Sequence, residues 1–239
     1  MSQTLKTIIR LRELILRGDF MPGERLLETS LVDMLDVSRT PIRAALARLT
    51  EEGLLEKAIG GSYAVRAFSE RDIQDAIDLR GTVEGVAARL AAERGISSLA
   101  LTKLWECVAE IDCLLEIKDL SDDDIERYLI LNESFHRQLV NLPKSFVVEH
   151  MSERIVALPF ASANAFVMAQ TELPHAWRVF FIAQEQHRGI VEAIESREGA
   201  RAEALTREHA RLSLQTLRTA LQSKPAMSQI PGIVKYLNT

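Results

Sequence analysis

The sequence predicts a mainly α fold in two parts: short helices with one β-hairpin at the N-terminus, then an all-α bundle. Three observations carry this. Glycine and proline are sparse, 11 and 7 of 239 residues, in a chain rich in the Ala, Leu, Glu and Arg that cost a helix least. Apolar residues recur at helical spacing along almost the whole chain. The one interruption is at 54–66, where Leu54-Leu55-Glu56-Lys57 and Tyr63-Ala64-Val65-Arg66 alternate on either side of Ile59-Gly60-Gly61-Ser62 and read as a hairpin.

The first helix spans Thr4 to Arg17, with Leu5, Ile8, Ile9, Leu11, Leu14, Ile15 and Leu16 as its apolar set and Gly18 as its stop. Gly18 to Gly23 is a turn-rich connector. A second helix runs from about Glu28 to Leu35, and Asp36-Val37-Ser38 makes the next turn. Ser38 is placed as the N-cap of a third helix, about Arg39 to Glu52, which stops at Gly53. Helix, helix-turn-helix, then hairpin is the order of a winged helix-turn-helix.

From Ser69 the pattern is helical with few breaks. One helix starts at Ser69-Glu70-Arg71-Asp72 and ends near Gly95, and another runs from Ser97 to about Lys118. A third follows Ser121-Asp122-Asp123-Asp124, whose acids suit the positive end of a helix dipole. Breaks fall near Pro143, Pro159, Pro174 and Glu198-Gly199, and the last long helix spans about Ala200 to Gln222. The stretch after Lys224, with Pro225, Pro231 and Gly232, reads as irregular. The domain boundaries are placed at 1–68 (winged helix-turn-helix), 69–224 (helical bundle) and 225–239 (C-terminal tail).

Charge is divided between the parts. Residues 1–68 hold ten Lys/Arg against nine Asp/Glu, whereas the rest holds nineteen against twenty-five, so the net −5 belongs to the second part. The overall acidity therefore does not exclude a DNA ligand, but it makes affinity depend on a few placed cations, doubled by dimerisation. No apolar run approaches the roughly 20 residues of a membrane span, and the N-terminus carries charges through its apolar stretch, so neither a span nor a signal peptide is expected. Cys107 and Cys113 lie six apart within a helical pattern, off the three- or four-residue spacing of facing positions. They read as reduced thiols and point to the cytoplasm.

Leu31, Leu35, Val37, Ile42, Ala45, Leu46 and Leu49 are spaced to pack two short helices across a tight turn. That leaves Ser38, Arg39, Thr40 and Arg43 at the exposed start of the second, the end that enters the major groove in such a motif. Arg39 and Arg43 share a face suited to guanine edges or phosphates, and Ser38 and Thr40 can donate to phosphates. Met21-Pro22-Gly23-Glu24-Arg25-Leu26, Val37-Ser38-Arg39-Thr40-Pro41-Ile42-Arg43-Ala44-Ala45-Leu46, Leu49 and Glu52-Gly53-Leu54 resemble the N-terminal signature of GntR-type regulators. The resemblance implies that Arg39, Thr40 and Arg43 contact a double-stranded operator and that Gly61, at the wing tip, approaches the minor groove. Thr29 departs from the arginine frequent in that family.

His136, His187 and His209 lie on three different predicted helices, and Asn132 is one turn before His136. Three imidazoles and an oxygen ligand make a site for Zn²⁺, Ni²⁺ or a similar divalent ion, although the long gaps leave surface or core histidines as an alternative reading. His150 and His175 have no such partners. Asp78-Leu79-Arg80 with Glu84, Asn132-x-x-Phe135-His136, His187-Arg188-x-Ile190 and His209 resemble the FCD effector domain of the FadR subfamily. Metal-binding members hold the ion with one Asp and three His. Those positions are Asn132, His136, His187 and His209 here, with Asn in place of the usual Asp. The resemblance also points Arg80 towards a carboxylate effector, against the plainer reading of an ion pair with Glu84.

The expectation is thus a homodimeric DNA-binding regulator, a repressor acting on a palindromic operator, that senses an organic acid in a metal-containing helical pocket. Two alternatives stay open. One keeps the DNA-binding head and has a metal-free pocket for an acyl or lipid-like ligand. The other is a metal-dependent hydrolase, disfavoured because no carboxylate is placed as an obvious general base.

Overall fold

The computed structural model describes residues 2–58, 60–117, 120–158 and 160–229. The chain forms two compact units, the first built by the chain up to Ile73 and the second by Gln74–Val156 with Phe160–Gln229.

In the first unit, α1 (Gln3–Leu16) is opened by Ser2, whose hydroxyl accepts from Leu5 N at 3.2 Å. It closes at Gly18, whose φ of 78° lets the amides of Gly18 and Asp19 return to the carbonyls of Ile15 and Leu14. α2 (Glu28–Leu35) and α3 (Arg39–Glu51) meet across a turn in which Asp36 takes the left-handed φ of 52° that Asp tolerates better than most residues. Leu31, Ile42, Ala45, Leu46 and Leu49 are buried as their spacing predicts, together with Leu11 and Ile15 of α1. Leu35 and Val37 are only half-buried because they lie at the end of α2 and in the turn, at the rim of that core.

β2 (Leu55–Lys57) and β3 (Tyr63–Val65) form the expected hairpin, with Leu55 opposite Val65 and Lys57 opposite Tyr63. A third strand, β1 (Arg25–Leu26), pairs antiparallel with β3 and gives the sheet order β1-β3-β2. Two residues cannot show alternation, so β1 was legible only as part of a connector.

The second unit is helical: α4 (Glu70–Arg94), α5 (Ser98–Leu115), α6 (Asp122–Asn141), α7 (Phe146–Val156), α8 (Val167–Thr171), α9 (Ala176–Glu195), α10 (Gly199–Ala220) and α11 (Lys224–Ser228). The acidic start of α6 is a full capping box, in which Asp124 N donates to the Ser121 hydroxyl and Ser121 N to the Asp124 carboxylate. The core joins α5, α6 and α9 through Leu104, Val108, Ile111, Phe135, Leu139 and Ile190. α11 corrects the expectation of an irregular stretch after Lys224. The Ser223 hydroxyl caps it, and Pro225 sits in the first turn, where its missing N–H costs nothing. Residues 230–239, like Pro159 and Lys118, lie outside the described residues.

Two helix-interior glycines have opposite expected behaviour. A Cβ on Gly81 of α4 would lie 2.7 Å from the Ala210 Cβ of α10, an atom that no rotamer change can move away. A Cβ on Gly189 of α9 would meet only Leu205 Cδ1 at an ordinary 3.5 Å. Alanine gains about 1 kcal/mol of helix propensity at either site. At Gly81 an overpacking cost of about 1–3 kcal/mol opposes that gain. Gly189→Ala therefore raises the unfolding midpoint and Gly81→Ala lowers it, as thermal or urea melts would show.

Candidate functional site

α3 presents Ser38, Arg39, Thr40 and Arg43 on the surface of the first unit, all four exposed. Ser38 occupies the N-cap position in extended backbone, yet its hydroxyl makes no capping bond. Among the described residues the side chains of Arg39 and Thr40 have no hydrogen-bond partner either, whereas Arg43 Nε donates to Glu28 Oε2 at 2.8 Å. Gly61 lies in the hairpin loop with φ 82°, and a Cβ there would meet nothing within 4 Å, so its backbone conformation and not lack of space calls for glycine.

In the second unit the fold brings together the three histidines that the sequence leaves 51 and 22 residues apart. His136 (α6), His187 (α9) and His209 (α10) are buried, with Nε2–Nε2 separations of 3.1 Å (187 to 209) and 3.2 Å (209 to 136). Each ring's other nitrogen is engaged. His136 Nδ1 lies 3.1 Å from Glu84 Oε2, an acceptor only, so it carries the proton. Gln184 spends its Nε2 on Val108 O at 2.8 Å and Asp112 Oδ1 at 2.7 Å, which turns its Oε1 towards His187 Nδ1 at 3.1 Å. His209 Nδ1 lies 3.1 Å from Gln186 Oε1.

With Nδ1 donating in His136 and His187, the Nε2 lone pairs of both rings face the His209 Nε2. Burial, reinforced by the charge of the neighbouring imidazoles, holds His187 and His209 well below the usual imidazole range, so a proton is a poor occupant. A divalent cation suits the same atoms, since metal–nitrogen bonds of about 2.0–2.1 Å place tetrahedral ligand nitrogens roughly 3.3 Å apart. The three histidines form a group that could hold a metal ion.

Asn132, the fourth sequence-predicted ligand, is buried and lines the same cavity as His136 and His209. Asn164 Nδ2 donates to Leu129 O at 2.9 Å, so Asn164 offers its Oδ1 to Asn132 Nδ2 at 2.8 Å. The Asn132 Oδ1 is thereby the atom left over, and an oxygen is what a metal would need.

Arg80 is 2% exposed. Its Nη2 donates to Ser213 Oγ at 3.1 Å, and Glu84 Oε1 is 4.0 Å from Nε. Nε and Nη1 have no hydrogen-bond partner. The sequence's plainer reading, an Arg80–Glu84 pair, is only marginally realised because Glu84 turns to His136 instead. Burial lowers the Arg80 pKa, against the pull of Glu84. Burial also opposes ionisation of Glu84, but His136 and Arg80 outweigh it and bring its pKa down to about 2. A cavity of about 40 Å³ lies against this group. Beside His136 and His209 it is lined by Arg80, Asn132, Tyr128, Gln170, Ser213 and Thr216.

Sequence reasoning missed Asn164, Gln184, Gln186 and Ser213. Gln184 had a signal, one turn before His187 on the same face. Asn164 lies in the non-periodic stretch before α8 and had none.

Residues 4–65 match the family model of bacterial regulatory proteins, gntR family, and residues 75–212 match that of the FCD domain. The chain belongs to the GntR family. Its second part is an FCD domain, which carries Arg80, Asn132 and all three histidines. Among curated relatives of this GntR-family chain, the Nta operon transcriptional regulator of Aminobacter aminovorans is 36% identical over 57% of this chain and 63% of its own. The HTH-type transcriptional repressor GlaR of Escherichia coli is 27% identical over 82% and 86%. The solved structure of E. coli McbR/YncC shares the fold, with a TM-score of 0.62 at 20% identity, covering 93% of this chain and 98% of that one. As a GntR-family protein the chain is a DNA-binding transcriptional regulator and not an enzyme. Among the described residues no helix is long and apolar enough to cross a membrane.

Proposed function

We propose that this GntR-family protein is a homodimeric cytoplasmic repressor, binding a palindromic operator through Ser38, Arg39, Thr40 and Arg43 with Gly61 at the minor groove. Its FCD domain senses a short carboxylate held between Arg80 and a divalent ion on His136, His187, His209 and Asn132. Those four residues would hold the ion, Zn²⁺ or Ni²⁺, whose positive charge would complement the second end of the ligand. The observation that carries this reading is the buried guanidinium with two unused donors at the wall of a small cavity. An under-compensated buried cation is costly, and a carboxylate supplies the negative charge and the acceptor oxygens that this guanidinium lacks.

The size and walls of the cavity limit the ligand further. A volume of about 40 Å³ holds about three waters, so the ligand is short. Its remaining polar lining, Tyr128, Gln170, Ser213 and Thr216, is neutral, which suits a hydroxyl or carbonyl at the second end. A larger cavity of about 470 Å³ reaches His136 but is lined by Glu84, Glu133, Glu149 and Glu153 against a single arginine, Arg137, and disfavours an anion. A long apolar acyl ligand fits neither description.

Arg80→Met tests the assignment in two ways. Removing the charge 4.0 Å from the buried Glu84 carboxylate leaves that carboxylate to His136 alone, so the melting temperature of the ligand-free protein falls. Calorimetry with metal-loaded protein and a panel of two- to six-carbon carboxylates then shows affinity falling about 10–100-fold, the worth of charged hydrogen bonds. Undiminished binding of the carboxylate that wild type prefers would remove Arg80 from the site.

A further inference from the structure

Arg43 and Arg39 lie one turn apart on the same face of α3, but their surroundings differ. Arg43 Nε is bound by Glu28, which reaches it from the first turn of α2. The Arg43 side chain is 65% exposed and that of Glu28 is 28% exposed. Arg43 Nη1 and Nη2 have no other hydrogen bond, and Arg39 has no hydrogen bond or ion pair, among the described residues. An exposed pair of this kind contributes little to folding. The dipole of α2 requires only that its first turn be acidic, not that the acid grip Arg43.

The guanidinium is a rigid plane with five N–H groups. A carboxylate on the Nε side leaves the terminal edge, with its two Nη groups, facing outward as a fork that fits guanine O6 and N7. We propose that Glu28 is a positioning residue that holds Arg43 for base reading and so sets the sequence discrimination of α3. Two effects act together. The carboxylate restricts a side chain with large rotamer entropy to one aim. Its charge also offsets that of Arg43 and repels phosphates, so Arg43 adds little to backbone binding, which is driven by charge alone. Discrimination gains from the repulsive element as well as the attractive one. Arg39, free of any such partner, is left to supply the sequence-independent grip.

The inference rests on α3 being the DNA-reading helix, and the two are tested apart. Wild type and Glu28→Gln are each used to select sites from a random double-stranded DNA library. Affinities are then measured at one salt concentration for the selected site, for its single-base-pair variants and for random DNA. Glu28→Gln keeps the shape and loses the charge. It is expected to bind random DNA severalfold more tightly, to lose about tenfold in discrimination at one guanine of each half-site, and to melt as wild type does. Arg43→Lys keeps the charge without the fork and loses the same position; adding Glu28→Gln to it changes discrimination no further. Wild-type discrimination in Glu28→Gln overturns the inference, as does a uniform loss of affinity with a lowered melting temperature, or additive losses in the double variant. Wild-type site preference in Arg39→Ala/Arg43→Ala would instead overturn the role of α3 itself.

Discussion

Alanine at both Arg39 and Arg43 lowers affinity for the selected operator by about 10³-fold or more and leaves the metal content of the FCD domain unchanged. An arginine on a base edge is worth about 1–3 kcal/mol, and one on a phosphate makes charged hydrogen bonds of about 1.5–3 kcal/mol. In the proposed dimer two of each come to at least about 4 kcal/mol, or three decades in Kd. Both side chains are exposed and neither belongs to the core of α1 and α3, so the variant folds. Fluorescence anisotropy at fixed salt, with a thermal melt and metal analysis as controls, measures the effect. An affinity within tenfold of wild type would take α3 out of the groove.

His187→Ala is expected to abolish metal binding at the proposed site. The three Nε2 atoms lie 3.1 and 3.2 Å apart in sequence along the chain of rings, and losing one leaves two imidazoles and an amide, too few strong donors for a tight divalent site. Metal content in protein purified without an affinity metal column falls from about one equivalent to near none. Gln184→Leu gives the graded case. It removes the acceptor behind His187 Nδ1 and leaves the ring free to rotate, a change that costs about 10–100-fold in metal affinity. Equal metal affinity in wild type and His187→Ala would show that the cluster is a hydrogen-bonded core and not a cation site.

Much of this was legible in the sequence, and what was not has physical causes. The helices of the first unit could be read because Leu31, Ile42, Ala45, Leu46 and Leu49 keep helical period and are buried accordingly. Arg39 and Arg43 stood out because they share a face at the start of a helix. Strand β1 could not be read, since two residues have no period, and α11 was hidden behind Pro225, whose place in a first turn depends on the Ser223 cap. The histidines could be named, but their convergence depends on how three helices pack, which spacing does not encode. The partners that fix the ring protons are the least visible. Glu84 pairs with His136 across 52 positions, and Asn164 orients Asn132 from outside any helix.

On the proposed function, the pocket beside Arg80 and the histidines governs operator affinity. Metal-loaded protein on its operator is titrated with the carboxylate that calorimetry shows to bind, and the titration is repeated with Arg80→Met. Operator affinity is predicted to change at least about tenfold in wild type, a coupling of about 1.4 kcal/mol, and to stay constant in Arg80→Met. A carboxylate that saturates the wild-type pocket and leaves operator affinity unmoved would contradict it.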